Sequence, residues 1–274
     1  MPVPYYHLLG HIYLAVDACE HESSLASALK KAGFGDDNLA RGRKLLEEGL
    51  ELVDRKAEEV GEDRIYEHNL HGSADEVQMW LSTSAFQLKK ALDDDTLIHK
   101  TLGKSLHSRN HTVTIVAQSL RLIAMVRTEP TIHENLGSAR QVHDLIVRGW
   151  VLLGKVFKNG DIQMTPGSAG DPDAPVFEDI AKHHAKMTEW VVELGRAADK
   201  LRGQPSLIGL LGYVPEGVGL PLGGTAYDVP LHQKAQREEL PDFDDLRPDP
   251  GWSAGRQGRN NENLGEGWVE PTFE

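Results

Sequence analysis

Histidine is the residue type in this chain best suited to chemistry, with thirteen among 274 residues. His7 and His11 are four apart, and so are His107 and His111. On a helix that spacing sets two imidazoles on one face, where both can reach one metal ion. His68 and His71 sit near a helix end, and His183 and His184 are adjacent. A metal bundle needs such pairs to converge with carboxylates completing the shell. Neither the Glu-x-x-His spacing of carboxylate di-iron bundles nor His-Glu-x-x-His occurs. His107 and His111 flank Arg109 and Asn110, which reads as an exposed polar turn at a helix start. His184 stands in an apolar stripe, the setting of a core histidine bonded to a backbone or side-chain partner. The candidate metal ligands are therefore His7, His11, His107, His111 and His184. No cofactor is assigned.

Other chemical motifs fail on context. Gly251-Trp252-Ser253-Ala254-Gly255 matches the spelling of a nucleophile elbow. That motif needs a strand before the serine and a helix after it, whereas Pro248 and Pro250 precede and Gly258 follows. The glycines from Gly217 to Gly224 lack the Lys-Ser or Lys-Thr of a phosphate loop. Asp242, Asp244, Asp245 and Asp249 lack the spacing and glycine of a calcium loop. Asp93, Asp94 and Asp95 suit a helix start, where the macrodipole favours negative charge. No catalytic residue is assigned, and the sequence favours a non-enzymatic protein.

The elements that must position these residues are helices. Apolar residues recur every three or four positions over 5–20, and a short helix over 24–32 ends at Gly33. Asp36 or Asp37 caps a helix that runs to Val60. Ser73 and Glu76 form the pattern of a capping box opening the next helix. A long helix is expected over 96–127 and another over 138–157, followed by a loop from Lys158 to Pro175. The last helix covers 176–202, with a stripe through Phe177, Ile180, His184, Met187, Val191, Leu194, Ala198 and Leu201. Leu45, Gly49, Leu52 and Val53 recur one hundred residues on as Leu145, Gly149, Leu152 and Leu153. This suggests two similar units, 1–95 and 96–203, within a helical region 1–203. Helices with no strand pattern between them predict an all-α antiparallel bundle of about six main helices.

Beyond residue 203 the texture changes. Residues 204–227 are glycine-rich and apolar, and are expected to pack on the bundle. Residues 228–274 hold eleven Asp or Glu against five Lys or Arg, a composition that resists folding alone. Yet Tyr227, Phe243, Trp252, Trp268 and Phe273 punctuate this region, and such rings anchor segments that dock. The tail is read as a non-helical arm that meets its own bundle or another protein.

Bulk properties narrow the function classes. A formal net charge of −13 argues against nucleic acid and anionic membranes as partners. The single cysteine, Cys19, excludes an intramolecular disulfide and a thiolate cluster within one chain. The apolar stretch from Leu8 to Ala18 is interrupted by His11 and Asp17, and it is too short to span a bilayer. With no basic n-region ahead of it, it is not expected to act as a signal peptide, and a cytoplasmic setting is expected. The resulting expectation is a structural or assembly protein that self-associates through its bundle and a docking C-terminal arm. The alternatives are a histidine-based metal- or cofactor-binding bundle, and an adaptor or cargo protein that docks on a larger assembly through the arm.

Overall fold

A computed structural model describes residues 3–60, 64–103, 106–166 and 174–214. The described residues form ten helices and no strand: α1 Tyr5–His21, α2 Ser23–Lys31, α3 Asp36–Val60, α4 Arg64–Ala91, α5 Asp95–Leu102, α6 His111–Thr128, α7 Pro130–Asn135, α8 Ala139–Met164, α9 Pro175–Asp199 and α10 Pro205–Gly209. Six of these, α1, α3, α4, α6, α8 and α9, have 17 or more residues and make an all-α body.

Local chemistry sets the boundaries. Gly33 takes a φ of 95° and closes α2, with the Phe34 amide donating to the Leu29 carbonyl at 2.9 Å. The helix expected over 96–127 is two helices. Asp94 caps α5 by accepting from the amides of Thr96 and Leu97, and Gly103, with a φ of 65°, ends it. Asn110 then caps α6 through the Val113 amide. The apolar periodicity hid this break because Leu106, which lies between the two helices, is itself fully buried.

Helix α4 starts well before the Ser73 cap that the sequence suggested. Ser73 lies inside it, and its hydroxyl donates to the Asn69 carbonyl at 2.8 Å. A true capping box opens α8, where Ser138 and Gln141 satisfy each other's backbone amides. Helix α8 also runs through Gly160 to Met164, where a loop was expected, and Gly160 packs against the Tyr6 ring.

Helix α1 lies at the centre, with 14 of its 17 residues buried. It packs on α2, α3, α6, α8 and α9. Around it, α3 lies antiparallel on α9: Gly42 receives Trp190, and Gly49 receives His183. Helix α8 lies antiparallel on α4: Gly149 receives Trp80, and Asn159 bonds Ser73 at 2.7 Å. At Gly42, Gly49 and Gly149 an added Cβ would fall inside van der Waals contact of the opposing ring. Glycine here buys close helix approach. Beyond α9, α10 packs on α6, and Ile208, Leu211 and Tyr213 are buried.

Candidate functional site

The polar groups capable of chemistry fall into two interior sets and one surface face. The first interior set surrounds the start of α1. The His183 Nε2–H donates to the Leu45 carbonyl at 2.9 Å, which fixes the tautomer. Its Nδ1 therefore accepts the Tyr5 hydroxyl at 3.0 Å. Burial pushes the Tyr5 phenol above its ordinary range and the His183 imidazole below its own, so both are neutral near pH 7. Next to them the His184 Nε2–H donates to the Val3 carbonyl at 2.6 Å. The first amide of α1, on Tyr5, donates to Asp161 Oδ1 at 3.0 Å, a cap supplied by α8. Burial raises the Asp161 carboxyl pKa, and the bond from the Tyr5 amide opposes that rise.

This cluster ties α1, α3, α8 and α9 together through hydrogen bonds. Its imidazoles spend their donors on backbone carbonyls. Phe177, Ile180, Met187, Val191, Leu194, Ala198 and Leu201 of the expected stripe are buried, with His183 in place of His184 and Trp190 beside them. His183 is 3% exposed, while His184 lies at the edge of the buried face.

The other candidate histidines sit in different surroundings. His7 is buried and stacks on Phe157, with ring centroids 4.7 Å apart. His11 is 2% exposed, its Nδ1 has no hydrogen-bond partner among the described residues, and burial lowers its pKa to about 4. His107 and His111 are exposed, and they do not share a helix, since His107 precedes α6 and His111 is its first residue. Among the described residues, no group of three His, Cys, Asp or Glu side chains is placed to hold a metal ion. Tyr227, Phe243, Trp252, Trp268 and Phe273 lie outside the described residues, as do the Ser253 motif and the aspartates from Asp242 to Asp249.

The second interior set is an ion pair that the sequence did not reveal. Arg121 on α6 reaches Asp17 on α1 at 2.9 Å, with side-chain exposures of 5% and 6%. His21 stands 3.3 Å from the other carboxylate oxygen. The Arg121 Nε finds no partner among the described residues. Burial lowers the Arg121 pKa, against the opposing pull of Asp17. The pair clamps the central helix to α6.

The surface feature is one face of α4. Met79 and Phe86 are 64% and 69% exposed, the large hydrophobic residues that the described surface presents to solvent. They are two helical turns apart, and Ser82 and Thr83 lie between them on the same face. Residues 77–88 contain no charged residue at all. By contrast, the outer face of α9 carries Glu178, Lys182, Lys186 and Glu189. Gly72, on the same stripe of α4, has open space where a Cβ would go. Among the described residues, no helix is long and apolar enough to cross a membrane.

Compared with protein-family models, curated proteins and solved structures, the chain matches none of them.

Proposed function

We propose that this is a structural protein whose helical body associates with other copies of itself, and not an enzyme. The observation that carries the reading is the charge-free stretch 77–88 of α4, with Met79 and Phe86 in solvent on a chain of net charge −13. Solvated helices normally carry charge on that face, and an apolar patch bounded by polar residues marks a contact site. His183 and His184 support the same reading, because they are committed to internal bonds with Leu45 and Val3. The acidic segment 228–274 is the second docking element of this proposal, with Phe243, Trp252, Trp268 and Phe273 as its anchors and Tyr227 at its root. The test is the mass of the intact protein in solution over a concentration series, by light scattering. The proposal requires a species larger than the monomer that grows with concentration. A monomer at every concentration up to about 0.2 mM would overturn it.

A further inference from the structure

Resting on that reading, we infer that the occupant of the α4 face is the same face of a second copy, antiparallel about a two-fold axis passing between Ser82 and Thr83. The stripe that points away from the body runs Asp75, Met79, Ser82, Thr83, Phe86, Lys90, spaced by one helical turn or one residue. All six are exposed. The buried face, with Val77, Leu81, Ser84 and Leu88, is on the opposite side.

The pattern is self-complementary in one orientation. With the axis between Ser82 and Thr83, Met79 meets the partner's Phe86, and Phe86 meets the partner's Met79. The thioether–aromatic contact is thus made twice. Ser82 and Thr83 meet at the centre, where small side chains let the two helices approach. Asp75 meets the partner's Lys90 at each end, which closes the apolar strip between two opposite-charge pairs. Neither Asp75 nor Lys90 has an ion-pair partner among the described residues.

Other registers lose these matches. A parallel pair sets Asp75 beside Asp75 and Lys90 beside Lys90, and like charges across an interface cost affinity. A slip of one turn sets Met79 against Lys90 and leaves Asp75 unpaired. Two single helix faces make a small interface, below about 1,200 Å² in total, so the dimer is expected to be a micromolar one.

Charge swaps in the full-length chain test the arrangement. Asp75→Lys and Lys90→Asp should each weaken dimerisation about tenfold, and the double swap should restore it to within about threefold. Ser82→Cys should close a disulfide between copies on oxidation. Met79→Cys should not, because its two copies lie about 10 Å apart along the axis. Cys19 is buried and does not compete.

A dimer that the double swap fails to restore, or that cross-links as readily through Met79→Cys, overturns the two-fold register but leaves self-association standing. A monomeric wild type overturns both. If in addition Phe86→Asp makes residues 228–274 more sensitive to protease, the chain's own C-terminal segment occupies the face instead.

Discussion

Replacing Asp17 with Asn should be among the most damaging single changes in the interior. Arg121 is 5% exposed, 2.9 Å from the Asp17 carboxylate, and its Nε already lacks a partner. Asn keeps the shape and removes the charge, which leaves a buried guanidinium without its counterion. Such a change costs about 3 kcal/mol or more, out of a total stability of about 5–15 kcal/mol for a domain. Arg121→Met should cost less. The stranded carboxylate keeps His21 at 3.3 Å, a residue whose side chain is 56% exposed. Replacing both partners, as Asp17→Leu with Arg121→Met, should return stability to within about 1 kcal/mol of the wild type, because matched apolar groups substitute well for a buried pair. Urea unfolding followed by helical circular dichroism measures these proteins, and the Asp17→Leu single variant closes the double-mutant cycle with Arg121→Met. If Asp17→Asn lies within about 1 kcal/mol of the wild type, the pair is not the buried clamp described.

Four further outcomes follow from the same helical body. Gly49→Ala should destabilise by about 1–3 kcal/mol, because its Cβ meets Leu9 and His183. Gly72→Ala should stabilise by about 0.5–1 kcal/mol, because the space is open and Ala is the better helix former; thermal melts of the two variants should shift in opposite directions. His11 has a folded-state pKa of about 4, against 6.5 for a free imidazole. As pH falls through that window the unfolded chain takes up a proton that the folded chain refuses, so about 3 kcal/mol of stability is lost by pH 4. His11→Leu should remove that part of the pH slope in denaturant titrations at pH 7 and about pH 4, and an unchanged slope would contradict it. Tyr5→Phe strands the Nδ1 of His183 and should cost about 1–3 kcal/mol in urea unfolding, with helix content retained.

The helical class was legible in the sequence because 3.6-residue periodicity survives in every long element. The start of α3 at Asp36 and the cap of α8 at Ser138 carry their signals in local chemistry. What periodicity could not carry is direction within a buried surface. His183 and His184 both fit the α9 stripe, and only packing against Leu45 decides that His183 faces inward. The split between α5 and α6 depends on Gly103 taking a left-handed φ while Leu106 stays buried, so the apolar rhythm continues from one helix to the next. The Asp17–Arg121 pair joins residues 104 apart in sequence, and no local pattern records it. The α4 face did leave a trace, a charge-free run over 77–88, but that run reads as core until the burial of Trp80 and the exposure of Phe86 separate its two sides.

Sedimentation equilibrium of the full-length protein and its Phe86→Asp variant tests the central claim most directly. Phe86 is 69% exposed, so the variant should keep the wild-type helix content and unfolding midpoint. The account predicts a concentration-dependent dimer for the wild type and a monomer for Phe86→Asp over the same range. Equal masses for the two proteins would contradict it.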